Sequence, residues 1–230
     1  MAGAICSNRS MSESLSGRCA VVTGVSRRAG IGFAVAKRLL GLGSDVFVQS
    51  WVPYDEGTSW GADPDGLDAV LSELAALGRV EHLAADFADP DAPRAVIAAA
   101  RDAFGHVDIL VANHARSESG NLDAITAAQL DAHLVENVRG SILLVKELAA
   151  RHDGRPGGRV VLLTSGQHLE AMPSELAYAI SKGALHQATR SLSDELIGRG
   201  ITVNAVNPGP TDTGWGLGER PAEPAMPRGR

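Results

Sequence analysis

The chain has 230 residues, a formal charge of −6, 44% hydrophobic residues and only 4% aromatics. That length and apolar share suffice for one globular domain with a sizeable core. The mild acidity argues against nucleic acid or an anionic membrane surface as the main partner, since both need a basic field.

Residues 1–16 lack the apolar core of a secretory signal and are expected to form a disordered tail. No run of about 18 apolar residues occurs, so no membrane span is expected. Cys6 and Cys19 read as free thiols of a reduced compartment, which makes a cytoplasmic protein the expectation. Two cysteines make no metal site.

"RCAVVTG" is a short apolar run ending in Thr-Gly, hence a buried strand. "IGFAVAKRLLGLG" follows with helical spacing at Ile31, Val35, Leu39 and Leu42. "DVFVQS" is the second strand, and "WVPYDEGTSWGADPDG" a long loop. "LDAVLSELAALG" is a helix, "RVEHLAADF" the third strand, "DAPRAVIAAARDAFG" a helix and "VDILVANHA" the fourth strand. A long helix is expected from about Thr126 to His152, opened by a capping box in "TAAQ". "GRVVLLTSG" is the fifth strand, "SELAYAISKGALHQATRSLSDELIGRG" a helix and "ITVNAVNPG" the sixth strand. Strand and helix alternate, and the strands are short and apolar without alternation, as when helices cover both faces of a sheet. The fold class is therefore α/β, a single doubly wound parallel sheet of about six strands, Rossmann-like, with ligands at the carboxyl ends of the strands. One domain over residues 17–215 is expected, followed by an irregular tail at 216–230.

"TGVSRRAGIG", Thr23 to Gly32, joins the first strand to the first helix. Its glycines permit close approach of backbone to a pyrophosphate, and the helix start offers unpaired amides to an anion. The bland alternative is a turn whose glycines serve packing alone. The second strand ends in Gln49 and Ser50, with no acid before Asp55 to hold the adenosine ribose of NAD. Arg27 and Arg28 in the glycine-rich turn can meet a 2′-phosphate, which favours NADP with NAD as the alternative. Asp86 follows the third strand, where it either accepts the adenine amino group or caps the next helix. Asn113 in "ANHA" can tie strands together at the cofactor edge, while His114 reads as a hydrogen-bonded histidine rather than a catalyst.

Tyr178 and Lys182 stand four apart and share a helix face. A nearby ammonium is expected to lower the phenol pKa toward working pH, so that Tyr178 exchanges a proton with an oxygen. Ser165 ends the preceding strand and emerges at the same edge. Taken alone, such a Tyr–Lys pair is more often a surface tyrosine beside a lysine.

Together these segments resemble the short-chain dehydrogenase/reductase family over about residues 17–215. "TGVSRRAGIG" resembles its Thr-Gly cofactor turn, "ANHA" its Asn-Asn-Ala-Gly segment, "ENVRG" its catalytic Asn and "NPGPTDT" its Pro-Gly segment. Ser165, Tyr178 and Lys182 match the catalytic Ser and Tyr-x-x-x-Lys in order and spacing. The resemblance implies that Tyr178 is general acid in reduction and base in oxidation. It implies that Lys182 binds the nicotinamide ribose and that Ser165 orients the substrate oxygen. Asn137 would bend its helix and hold a relay water. Gly24, Ser26, Gly30, Ile31, Gly32, Ser50, Asp86, Asn113, Pro208, Gly209, Thr211 and Thr213 would line the cofactor, with Arg27 and Arg28. Three features depart from the pattern. The glycine-rich turn carries two residues more than the commonest form. Ala112 and Ala115 replace an Asn and a Gly. The usual last strand is absent, which would leave the sixth strand as an apolar edge.

The expected function is hydride transfer between NADP(H) and a small-molecule carbonyl or alcohol. The branch resembled is that of the 3-oxoacyl carrier-protein reductases, and a homo-oligomer is expected. Gln167, His168 and Met172 are candidates to line the substrate pocket. The alternative is a dinucleotide-binding module without turnover, because the carboxyl-terminal part is missing. A methyltransferase on a similar sheet ranks lower, having no use for the Tyr–Lys pair.

Overall fold

The computed structural model describes residues 14–214. Six strands form one parallel sheet in the order β3-β2-β1-β4-β5-β6. They are β1 (Cys19–Thr23), β2 (Asp45–Ser50), β3 (Val80–Ala84), β4 (Ile109–Ala112), β5 (Gly158–Leu163) and β6 (Ile201–Val206). The helices between them are α1 (Ile31–Gly41), α2 (Val52–Glu56), α3 (Gly66–Ala75), α4 (Ala92–Phe104), α5 (Ala127–His133), α6 (Gly140–Arg151) and α7 (Leu176–Ile197).

Period-two geometry divides each strand between two cores. Ala20, Val22, Val46 and Val48 pack with Phe33, Ala36 and Leu40 of α1 and with Val70 and Leu74 of α3. Val21, Phe47, Leu110, Val160 and Leu162 pack on the other face with Val96, Ile97, Leu144 and Leu148 of α4 and α6. The four inner strands are thus apolar on both faces. β3 and β6 lie at the two edges; β6 alternates between less and more exposed positions and no residue of β3 is fully buried, which the expectation of uniformly apolar strands did not cover.

Three other expectations change. The amino-terminal tail was placed at 1–16, but Leu15 is docked, its amide donating to the Leu42 carbonyl at 2.8 Å. Residues 1–13 and 215–230, including Cys6 and the expected irregular tail, lie outside the described residues. The stretch after β2 is no bare loop. Pro53 stands in the first turn of α2, where its missing N–H costs nothing, and the rest folds back toward the glycine-rich turn. The long helix is interrupted: between α5 and α6, Leu134–Arg139 form a π-helical turn. Its start is as expected, with Thr126 and Gln129 bonding reciprocally at 3.2 Å. Among the described residues β6 pairs only with β5.

Candidate active site

The carboxyl ends of β1, β4, β5 and β6 and the first turns of the helices that follow converge on one edge of the sheet. At the end of β1 the backbone is packed too closely for side chains. A Cβ on Gly32 would stand 2.5 Å from the Gly24 carbonyl and 2.8 Å from Asn113 Nδ2. Gly24 has φ +72°, and a Cβ there would meet Asn113 Nδ2 and the His114 Cα at 2.9 Å. Helix α1 begins at Ile31 after Gly30, with no side-chain cap and no acid in its first turn. Its first amides are left for an anion, so the turn fits a dinucleotide pyrophosphate. Asn113 ties the strands as expected: its Nδ2 donates to the Thr23 carbonyl at 2.9 Å and to the Gly24 carbonyl at 3.2 Å.

The ends of β2 and β3 are more crowded than the sequence suggests. Gln49 Oε1 accepts the Gly24 amide at 3.0 Å, and Gln49 Nε2 donates to the Ala85 carbonyl. The Ser50 hydroxyl is bonded to His82 Nε2 at 2.9 Å. Asp86 Oδ1 accepts the Ala88 amide at 2.8 Å. Asp86 does not cap the next helix; Asp91 holds that position. Arg28 is engaged with Asp63 through its backbone amide at 2.8 Å and its Nε at 3.1 Å, and its Nη2 also reaches Asp65. These bonds pull the Asp63 carboxyl down to about 2. Arg27 stands 3.4 Å from the Asp55 carboxylate and donates to the Thr213 carbonyl at 3.1 Å. The Ser26 hydroxyl also donates to Asp55. The segment after β2 therefore clasps the glycine-rich turn through Asp55 and Asp63. Tyr54 extends the clasp, its hydroxyl accepting the Ser117 amide at 2.7 Å.

Residues after β6 reach the same edge. Gly209 takes φ +70°, its amide donating to Asn207 Oδ1 at 3.0 Å, and Thr211 Oγ1 donates to the Gly209 carbonyl at 3.2 Å. Pro208 opens this turn and Thr213 is buried at its end.

Ser165, Tyr178 and Lys182 meet beside it. The Ser165 hydroxyl hydrogen-bonds the Tyr178 phenol. Lys182 is only 2% exposed; its Nζ donates to the Leu163 carbonyl at 2.8 Å and lies 5.6 Å from the centre of the Tyr178 ring. The expected lowering of the phenol pKa is not what the structure shows. Burial dominates and pushes Tyr178 up to about 12, against the lowering effect of the Ser165 bond. Lys182 stands over the ring face, and burial pushes it down to about 8. In this state Tyr178 is a protonated donor at neutral pH.

Asn137 lies in the π-helical turn and is fully buried. Its Oδ1 accepts the Arg116 amide at 2.7 Å, and its Nδ2 donates to the Arg116 carbonyl and to Ser181 Oγ, both at 2.9 Å. The Ser181 hydroxyl in turn donates to the Tyr178 carbonyl at 2.8 Å. Asn137 is thus joined to the helix that carries Tyr178 and Lys182. A π turn opens the helical ladder by one residue and recurs at functional sites. Of the substrate-side candidates, Gln167 accepts the Ser165 amide at 3.1 Å, and His168 stacks on His186 at 5.0 Å. Met172 is partly exposed.

The short chain dehydrogenase family pattern matches residues 18–223. The chain belongs to the short-chain dehydrogenase family. This dehydrogenase is 38% identical over 218 residues to an uncharacterized oxidoreductase, YjdA, of Bacillus subtilis, covering 93% of this chain and 83% of the relative. It is 36% identical to an NADPH-dependent aldehyde reductase-like protein of Arabidopsis thaliana chloroplasts, covering 86% of this chain and 74% of the relative. Among solved structures, a Burkholderia cenocepacia short chain dehydrogenase in complex with NADP superposes with a TM-score of 0.74 at 36% identity. That match covers 86% of this chain and 77% of the other. The chain is therefore an oxidoreductase of a class that works with a nicotinamide dinucleotide. No described helix is long and apolar enough to cross a membrane.

Proposed function

We propose that the protein reduces a small-molecule carbonyl with NADPH, with Tyr178 as the proton donor. The observation that carries this is the pairing of the Ser165 and Tyr178 hydroxyls beside a buried Lys182. A carbonyl oxygen placed between the two hydroxyls accepts a hydrogen bond from Ser165 and the proton from Tyr178. When bound, the dinucleotide would supply the hydride to the carbonyl carbon. Lys182, with two N–H donors beyond the one given to Leu163, would hold the nicotinamide ribose and the developing phenolate. The Nδ2 hydrogens of Asn137 are spent within the protein, while its Oδ1 accepts only the Arg116 amide and would hold a relay water through its second lone pair. Gly24, Gly30, Ile31 and Gly32 would cradle the pyrophosphate, and Pro208, Gly209, Thr211 and Thr213 the nicotinamide side. In oxidation Tyr178 would act as the base.

NADP is supported by Arg27 in the glycine-rich turn, by the NADP complex of the Burkholderia relative and by the NADPH-dependent plant relative. One observation favours NAD instead. Arg28 is held by two carboxylates, and Asp55 stands beside Arg27, so a 2′-phosphate would meet acids as well as cations. Separate titrations with NADPH and NADH decide between them. Tighter NADPH binding supports the lead, and tighter NADH binding replaces it. A panel of aldehydes and ketones, followed by loss of reduced cofactor, tests the reaction itself. A homo-oligomer and a cytoplasmic location complete the proposal.

A further inference from the structure

His114 touches both the glycine-rich turn at Thr23 and the π turn at Glu136, and no role in the proposed reaction uses it. Its Nδ1 lies 2.8 Å from Thr23 Oγ1, and its Nε2 lies 3.1 Å from the Glu136 carbonyl. Its ring packs on Phe87 at 4.1 Å. The start of α6 fits closely against it, since a Cβ on Gly140 would come within 3.3 Å of Nε2.

Donor counting fixes its tautomer. Thr23 Oγ1 accepts the amides of Asn113 at 3.0 Å and His114 at 3.2 Å. Its own proton has two takers, the Val111 carbonyl at 3.4 Å and His114 Nδ1 at 2.8 Å. The shorter contact assigns the proton to Nδ1, which is then an acceptor. Nε2 must carry the ring hydrogen and donate it to Glu136. A neutral ring is the form this site accommodates, because both nitrogens are used in opposite senses. Burial and the nearby Lys182 ammonium act the same way.

We infer that His114 is a positioning residue, a neutral hydrogen-bonded strut that sets the π turn carrying Asn137 against the β1 turn that holds the dinucleotide. The inference rests on the proposed reductase reading for its effect on turnover. Its structural content stands independently of that reading. The strut runs Thr23 O–H to Nδ1, then Nε2–H to Glu136, one residue before Asn137. It fixes where the Asn137 amide meets Arg116 and Ser181, and so the placing of the helix that bears Tyr178 and Lys182. Because the ring stays neutral, it does not compete with Lys182 for the ribose and carries no proton in the reaction.

Three measurements test this on the full chain. Proton–nitrogen NMR of the imidazoles near neutral pH is expected to show His114 neutral with hydrogen on Nε2. Hydrogen exchange is expected to quicken at 134–140 in His114→Ala and stay unchanged in β5. Steady-state kinetics of that variant are expected to show kcat reduced about tenfold, the scale of one lost buried hydrogen bond, with the dinucleotide KM within about twofold. His114→Gln, which keeps a donor able to reach Glu136, is expected to recover most of the rate. An Nδ1–H tautomer or an imidazolium overturns the inference. So does unchanged exchange with unchanged kcat, and so does a loss carried wholly by cofactor KM. If the Ala variant fails to fold, the tautomer and the Gln variant decide. If the wild-type protein turns over no carbonyl, the reductase reading falls, and exchange and tautomer still decide the strut.

Discussion

Tyr178 and Lys182 lie four apart on α7, and burial acts on them in opposite directions. Burial raises the phenol to about 12 and depresses the ammonium to about 8. A protonated phenol is the form a reductase needs, so reduction is expected to be flat through neutral pH. It should fall above about pH 8 as Lys182 loses its charge, read as the alkaline limb of kcat/KM, which reports the free enzyme. Lys182 also makes a stability prediction. Its folded pKa lies below its ordinary 10.5, so the buried charge costs most below about pH 8. Between pH 8 and 10.5 the unfolded chain holds a proton that the fold does not, and the cost fades as pH rises. Lys182→Met is therefore expected to raise stability near pH 7 by roughly 1–3 kcal/mol, offset in part by the unpaired Leu163 carbonyl. Denaturant melts should show the gain shrinking above pH 8, with turnover lost throughout. Ser165 at a strand end and Tyr178 with Lys182 on one helix face were legible in the sequence, and the joint resemblance to the family set them apart from an ordinary surface pair. Their proton affinities were not, because these depend on burial that only the packed fold creates.

At the scale of elements, alternation of strand and helix foretold the sheet, and Gly24 and Gly32 the close-packed turn after β1. The clasp after β2 was hidden. Its bonds join Ser26 to Asp55 and Arg28 to Asp63, side chains 29 and 35 positions apart, and no local pattern announces such pairs. The π turn was foreseen only as a bend at Asn137, which the family resemblance implied; "LVENVRG" itself has ordinary helical spacing, and its widening is sustained by Asn137, Arg116 and Ser181. The clasp yields a prediction that separates two roles for Arg28. If it anchors the segment, Arg28→Ala should weaken NADPH and NADH by the same factor, about threefold to tenfold, and speed limited proteolysis within 51–66. A loss confined to NADPH would make it a phosphate ligand instead. The clasp also has an acid limit. Asp63 keeps its charge in the fold down to about pH 2 instead of 3.8. Its stabilising effect is complete above the higher value and lost toward the lower, which proteolysis at acid pH can follow.

Across the whole molecule the two ends of the sheet divide the labour. At the amino end Asp108 is fully buried and receives Arg18 at 2.9 Å and the Cys19 amide at 2.9 Å, with His106 at 3.1 Å. Removing it leaves Arg18 and a buried amide without their acceptor. Asp108→Ala is expected to cost about 3 kcal/mol in denaturant unfolding while leaving dinucleotide affinity unchanged. At the carboxyl end the loss should be of function. Tyr178→Phe removes one hydroxyl from the cleft and no part of the glycine-rich turn. The most direct test of the account is single-turnover reduction of an aldehyde or ketone by the wild type and by Tyr178→Phe, each with NADPH binding measured by fluorescence. The account predicts a rate lowered by about 10²–10⁴ in the variant, with NADPH affinity held within about twofold. A variant that reduces the carbonyl at the wild-type rate would contradict it.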